Sequence, residues 1–566
     1  MQKVSEQTKT RLAYAAIGLI AAGLFALRLT VPIDILAYAQ DMPAMYVLDA
    51  VVNGHWFCQR DALGSITSKP PLYTWLAGLA SLPSGHVTSF SLALPSGLAT
   101  LGTAWVILAA GRKWWSRRAG LWAALIYLLS PMAGKQLALV RTDSLFTFTV
   151  ALAAVAAFAA WERGRGWTWF WLAAAAATLT KGPLGVLLGA LGLCAALWER
   201  RSGQPAALRG QHFGGVALYG VLTLGWLALA LVTEGRAVVD KMIFRELIGH
   251  ATGSSSKEPW LVNSYKPLLY VLARFAPWSL LTCLAFWRAV RQPSPVTTER
   301  RFERFLCCWL GLGVAVLSSS SHVRPDLAMP LIPAAALLAG RELNRWTARL
   351  PQTFVAGFFL VLAAVGMAVV TGPWFAKREA ASVQHTRGTQ ILAKEVTVRV
   401  GAEFPLTYVD RTFALQFFLG TMRERVAPAT AVRLLSEPTP VFVVARRSDK
   451  LSEQLGPSLT NLHEVARWPA QGEAYITVLS NHPRLEWTEQ LAFGVGPFIV
   501  HAEGLRLKGA HKNELWFSAA RDTGTVRITN EGTAPQRLRL RITGPQSEEQ
   551  SEREVEPGET WVEDIP

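Results

Sequence analysis

The stretch SLFTFTVALAAVAAFAAWERGRGWTWFWLAAAAATLTKGPLGVLLGALGLCAALW, residues 144–198, decides the architecture. It holds three apolar runs, at 144–161, 167–180 and 183–198, parted only by ERGRG (162–166) and by Lys181-Gly182. Runs of this kind with charge only at their joints read as membrane-spanning helices. The same pattern extends on both sides. Eleven spans are expected, at about 12–31, 89–110, 119–136, 144–161, 167–180, 183–198, 213–233, 266–287, 304–318, 327–341 and 353–373, within a total of 11–13. The first run is too long for a secretory signal and lacks a small-residue cleavage site after it.

Charge follows this division. Residues 1–374 hold 33 Lys/Arg against 16 Asp/Glu, whereas residues 375–566 hold 23 against 24. Only 17% of the 566 residues are charged and 51% are hydrophobic, against about 25% charged in an ordinary soluble domain. A soluble enzyme with a basic nucleic-acid-binding tail is excluded, because the basic part is the apolar part; 57 aromatic residues exclude a disordered chain. Lys and Arg concentrate in alternate short loops, among them GRKWWSRR (111–118), ERGRG (162–166) and RELNRWTAR (341–349). The positive-inside rule makes these cytoplasmic, with the N-terminus inside and residues 375–566 outside. The outer loops at 32–88 and 234–265 are long, as functional loops tend to be. PAMYVLDAVV (43–52) and PPLYTWLAGLASL (70–82) read as short interfacial helices.

The expected fold is a polytopic α-helical membrane protein. A transmembrane domain covers 1–374, an α/β domain 375–485 and a β-sandwich-like domain 486–566, the last two periplasmic. In the α/β part a helix is expected at 377–400 and strands at 405–410, 441–445 and 473–480.

Basic residues precede prolines on the expected outer face, as Lys69-Pro70-Pro71, Lys181-Gly182-Pro183, Lys266-Pro267 and Arg324-Pro325. Proline favours the first helical turn, and a cation there opposes the helix dipole. Cations gathered where stability alone would not put them suggest an anion site, with phosphate the obvious occupant. Lys69 leads this group, and Lys266 reads as a snorkelling side chain. Carboxylates are scarce in the same half. Asp41 follows the first span, and Asp143 opens the fourth as a cap or as a site residue. A carboxylate could take a proton from an attacking hydroxyl while cations stabilise a departing phosphate. That is the chemistry of glycosyl transfer from a lipid-linked phosphate sugar. No nucleotide-binding, G-x-S-x-G or H-E-x-x-H motif occurs. His55, His250 and His322, with Asp41 or Asp143, leave a divalent metal open, without ligand spacing to support it.

The run from Asp41 through Tyr46, Asn53-Gly54-His55-Trp56, Lys69-Pro70-Pro71-Leu72-Tyr73 and Trp75 resembles the first outer loop of the glycosyltransferase family 39 and aminoarabinose lipid A transferase superfamily, of C type (GT-C). Leu94-Pro95-Ser96, Arg141-Thr142-Asp143, Thr180-Lys181-Gly182-Pro183, Ala276-Pro277-Trp278 and Ser321-His322-Val323-Arg324-Pro325 follow in family order. The resemblance implies a polyprenyl-phosphate-sugar donor, inverting transfer to a lipid, glycan or protein acceptor, and Asp41 as catalytic base. It implies donor-phosphate contacts from Lys69 and Arg324, to which the cation pattern adds Lys181. Asp143, with Arg141, is placed near the acceptor or in a structural role. Tyr46, His55, Trp56, Tyr73 and His322 stand in the same motifs as substrate-lining candidates. The chain departs from the family at Met42, at Ser68 and at Asp326-Leu327, where a basic-aromatic pair is usual. These departures leave sugar and acceptor open. A flippase of lipid-linked sugars and an outer-face glycan polymerase or ligase are the competing readings; neither an internal repeat nor midplane charges favour the flippase.

Overall fold

A computed structural model describes residues 5–31, 35, 40–203, 208–249, 263–320, 324–376, 380–400, 405–409, 412–446, 462–469, 476–482, 490–510, 514–519, 523–544 and 548–565. The chain forms two compact units. One comprises 1–32, 68–80 and 89–378; the other comprises 33–67, 81–88 and 379–566.

The first unit is helical. Five of its described helices are long and apolar enough to cross a membrane: Glu6–Leu29, Ser89–Trp114, Asp143–Arg163, Phe213–Glu234 and Thr353–Ala376. Lys266–Arg274 and Trp278–Arg291 make a sixth if taken as one span, bent by 115° at the intervening break, which contains Pro277. The remaining expected spans form shorter or more polar helices. Residues 119–136 fall in Arg117–Leu128 and Pro131–Gln136, with Pro131 opening the second piece. Residues 183–198 divide into Leu184–Ala190, a 3-10 turn and Ala195–Arg201. The run 327–341 opens as a 3-10 turn, Pro325–Leu331, before Ile332–Thr347. Prolines and glycines cut these runs because a missing N–H or a freer backbone interrupts the helical ladder. Alanine-rich faces, such as Ala123, Ala154, Ala157 and Ala335, are fully buried in one continuous core. Small side chains let helix backbones approach closely, as membrane helices require.

One end of this bundle is tied by buried ion pairs. Glu199, fully buried, accepts from Arg304 at 2.8 Å and Arg300 at 3.3 Å. Glu162 pairs with Arg301 at 3.0 Å, and Glu299 with Arg341 at 3.0 Å. Glu303 pairs with Arg341 and Arg345, and Glu342 with Arg288 and Arg345. Six arginines thus meet five glutamates. These residues come from the basic loops that set topology in the sequence, so those cations also serve as internal staples.

The second unit is mixed. Its first sheet has the order β1-β2-β4-β3, from Leu406–Tyr408 (β1), Phe442–Arg446 (β2), His463–Trp468 (β3) and Ile476–Ser480 (β4). β1 and β2 run parallel; β2/β4 and β3/β4 are antiparallel. The helix Ala381–Val400 packs on it through Leu392, Val396 and Val400. Eight further strands follow: Gln490–Val495 (β5), Phe498–Glu503 (β6), Leu505–Ala510 (β7), Glu514–Ala519 (β8), Gly524–Asn530 (β9), Gln536–Thr543 (β10), Glu548–Val555 (β11) and Thr560–Ile565 (β12). They make two four-stranded sheets, β11-β10-β8-β7 and β12-β9-β6-β5, closed on a core that includes Phe493, Phe498, Phe517, Leu540 and Trp561. Ala492 and Ile499 join Val409, Val426 and Val443 in a separate core cluster, and the Gly494 amide donates to Thr407 Oγ1 at 3.0 Å. The α/β and sandwich parts are therefore continuous.

The loop that carries Asp41 belongs to this second unit. The helix Asp41–Asn53 ends where Asn53 Nδ2 donates to the Met422 carbonyl at 3.3 Å. The Arg425 amide donates to the Ala62 carbonyl at 2.9 Å. Gly64, at φ +74°, lies so close to Glu424 that a Cβ there would meet its carboxylate; only glycine suits both constraints. Hydropathy marked residues 32–88 as a loop but carried no sign of this attachment.

Candidate active site

In the helical unit, five sequence candidates converge. Asp143 is the first residue of its helix, with Thr142 at the cap position and no side-chain capping bond. Its carboxylate, 2% exposed, instead binds Lys181 Nζ at 2.5 Å and Arg141 Nε at 3.0 Å. The capping role is thereby replaced by charge pairing. Arg141 reaches on to Asp326 at 2.7 Å, and Asp326 accepts from Gln136 Nε2 at 2.6 Å with Lys135 at 4.0 Å. The result is an alternating chain from Lys181 through Asp143 and Arg141 to Asp326.

Lys69 stands beside this chain. Desolvation pushes its ammonium down to about 8, the cations Lys181, Arg141 and Arg324 add to that, and Asp143 opposes it. Burial is the main cause of this shift, and the neighbouring cations deepen it. Arg324, exposed, caps the 3-10 turn Pro325–Leu331 and makes no ion pair among the described residues. Lys135, beside Asp326, also feels Arg141, Asp143 and, from a separate helix, Arg274. The Oε1 of Gln136 and the hydroxyl of Thr142 are buried without a partner among the described residues.

Local chemistry explains how the site is held. Tyr73 is 1% exposed and donates to the Leu92 carbonyl at 2.8 Å. That bond fastens the helix Leu72–Ser81, just after Lys69-Pro70-Pro71, to Ser89–Trp114. Tyr73 therefore acts as a positioning residue, its ring and hydroxyl both held in packing. Ser96 Oγ donates to the carbonyls of Leu139 at 2.6 Å and Arg141 at 3.3 Å, fixing the turn that presents Arg141. The Leu94-Pro95-Ser96 motif therefore serves the site indirectly.

Lys181 sits between two helices: Pro183 caps the next one, Leu184–Ala190, as expected, and Lys181 is also the last residue of Trp167–Lys181, which Gly182 ends at φ +92°. A cation at a helix C-terminus is favourable, so helix stability accounts for Lys181 without a ligand. Lys69 and Arg324 likewise precede helical starts, and Lys266 is itself the first residue of its helix. Lys266 is not among the groups that perturb Lys69.

The other candidates lie in the second unit. Asp41 opens the helix Asp41–Asn53, where the dipole favours a carboxylate. Tyr46 is 9% exposed, and Trp56 is half-buried. His55 Nδ1 lies 3.1 Å from Asp49, whose buried carboxylate also accepts from Asn53 and from the Arg60 amide. His55 is bound into that turn, which makes it a structural residue first. His322 and His250 lie outside the described residues. Among the described residues no three His, Cys, Asp or Glu side chains gather as a metal site.

Lys135, Gln136, Arg274 and Asp326 escaped sequence reasoning. The signal for the first two was present: a Lys-Gln pair inside an apolar run is a functional candidate by default.

Residues 68–227 match the family described as dolichyl-phosphate-mannose-protein mannosyltransferase. The undecaprenyl phosphate-alpha-4-amino-4-deoxy-L-arabinose arabinosyl transferase of Pseudomonas aeruginosa (strain UCBPP-PA14) is 32% identical over 345 residues, 57% of this chain and 58% of that protein. A namesake from Pseudomonas fluorescens is 29% identical over 341 residues. The match spans little more than half the length of these relatives. In three dimensions the chain is similar to ArnT from Cupriavidus metallidurans in the apo state, with TM-score 0.62 and 20% identity over 84% of this chain and 99% of that one. It is equally similar to the same protein bound to undecaprenyl phosphate, at 19% identity. The likeness to these structures, at 19–20% identity, is one of fold, and the family match is confined to residues 68–227.

Proposed function

We propose that the protein is an integral membrane glycosyltransferase. It moves a sugar from a polyprenyl-phosphate donor to a lipid, glycan or protein acceptor on the outer face of the cytoplasmic membrane, with inversion. The observation that carries this reading is the gathering of Lys181, Arg141, Arg324 and Asp143 within electrostatic reach of Lys69. Cations so gathered suit a lipid phosphate that gains charge as its glycosidic bond breaks. A relative is named for an undecaprenyl phosphate-linked sugar, and a structural neighbour is described as bound to undecaprenyl phosphate; both support a donor of that class.

In this reading Lys69 and Arg324 hold the donor phosphate, and Lys181 contributes through Asp143. Asp41 takes the proton of the attacking acceptor hydroxyl. The sugar's anomeric carbon bonds the acceptor oxygen, and its bond to the phosphate oxygen breaks, leaving polyprenyl phosphate. Asp326, where the family usually has a basic residue, removes one positive charge beside Arg141 and points to a donor or acceptor different from that of the relatives.

The test uses the full chain in nanodiscs with undecaprenyl-phosphate-linked sugars and an envelope extract as acceptor. The wild-type chain should release undecaprenyl phosphate and label one acceptor. Asp41→Asn should lower that rate by about 10²- to 10⁴-fold with the protein still folded. Transfer at the wild-type rate by Asp41→Asn would remove the base assignment. Donor binding without any transfer would favour a flippase.

A further inference from the structure

A second charged feature lies away from this cluster. The helix Asp143–Arg163 runs 21 residues, about 30 Å at 1.5 Å per residue. At its far end a cavity of about 280 Å³ opens between this helix, Ser89–Trp114 and the start of Trp167–Lys181. Its walls include Val155, Ala156, Ala159 and the ring of Trp169, which is 70% exposed. Lys113, Arg163 and Arg165 also line it. All three are exposed, and none forms an ion pair among the described residues. Lys113 lies 4.7 Å from the Trp114 ring centre. The nearby carboxylate Glu162 is paired with Arg301. This differs from the adjoining ion-pair network, whose arginines all have glutamate partners.

A small apolar hollow under three unpaired cations has the two-part chemistry of an anionic lipid. The hollow lies below the range of about 300–1,000 Å³ that encloses drug-sized ligands, so it suits an acyl chain better than a soluble metabolite. Trp at the rim fits the water–lipid boundary, and basic pockets between membrane helices bind anionic headgroups. We infer that this groove is a binding site for an anionic glycerophospholipid, the phosphate resting on Lys113, Arg163 and Arg165 and one acyl chain lying along Val155, Ala156 and Ala159.

The experiment is native mass spectrometry of the purified full chain, titrated separately with phosphatidylglycerol, phosphatidylethanolamine and undecaprenyl phosphate. Two variants are compared, Lys113→Ala/Arg163→Ala/Arg165→Ala and Ala159→Trp, with gel filtration to confirm folding. Phosphatidylglycerol should bind at least tenfold more tightly than phosphatidylethanolamine. Both variants should lose that preference, the first by removing the headgroup contacts and the second by filling the hollow with all three cations in place. Equal binding of the two phospholipids, or an unchanged preference in the triple variant, would overturn the inference. Undecaprenyl phosphate bound in preference to phosphatidylglycerol, and lost in the triple variant, would overturn the choice of lipid. If the three cations only set membrane topology, lipid binding would not move.

Discussion

The two charged ends of the helical unit are built from similar residues and differ in balance. At one end, six arginines meet five glutamates, and every one of those arginines has a carboxylate within 4 Å. At the other, Lys181, Arg141 and Arg324 gather around Lys69, and Arg141 links Asp143 to Asp326. A buried charge is tolerated when paired, so the balanced end reads as structure; the end where cations gather around Lys69 is the place proposed above for an anion. Net charge over the whole chain, +16, hides this difference.

The comparison can be broken by exchanging the expected consequences of mutation. Glu199→Ala should leave Arg300 and Arg304 without their partner and cost about 3–5 kcal/mol of stability. Thermal unfolding in detergent measures it, and activity should fall only with the folded fraction. An unchanged unfolding temperature would show that the balanced end is not structural. Lys69→Ala should do the reverse. It removes a desolvated ammonium opposed by three neighbouring cations, so unfolding should shift far less than in Glu199→Ala. Transfer should drop about 10²–10³-fold, the loss expected for one group that stabilises developing charge.

A pH profile sharpens the same point. Lys69 is pushed down to about 8, so it is charged below that pH and loses its proton as pH rises through it. Transfer at low donor concentration should therefore fall on the alkaline side of about pH 8. Lys69→Arg, which stays charged, should abolish that fall while keeping part of the activity. The smallest effect belongs to Arg324→Ala. An exposed cation is screened by water, so the Michaelis constant for the donor should rise several-fold with little change in maximal rate.

Much of this was legible in the sequence. The long apolar helices, the short helices Asp41–Asn53 and Leu72–Ser81, and the strands at 441–445 and 473–480 follow from period and propensity, which are local. Lys69, Arg141, Asp143, Lys181 and Arg324 could be gathered because charge is scarce in apolar surroundings. Lys181 stands in the joint between Trp167–Lys181 and Leu184–Ala190, where the spans expected at 167–180 and 183–198 put it. Tyr73 resembled an interfacial aromatic, and only three-dimensional packing gives its hydroxyl to Leu92. Asp326 and Gln136 meet across 190 residues, a distance over which a single sequence carries no pairing signal.

The seam between residues 41–67 and 412–435 changes what counts as a module. Asn53, Ala62 and Gly64 meet Met422, Glu424 and Arg425 through backbone bonds and close contact. The segment that opens with Asp41 is thus an insertion in sequence but a piece of the C-terminal unit in space. A chimera that exchanged only residues 379–566 with those of a relative would strand that segment against foreign partners. One that moved residues 33–67 together with 379–566 would transplant an intact part, and with it the acid proposed to do the chemistry.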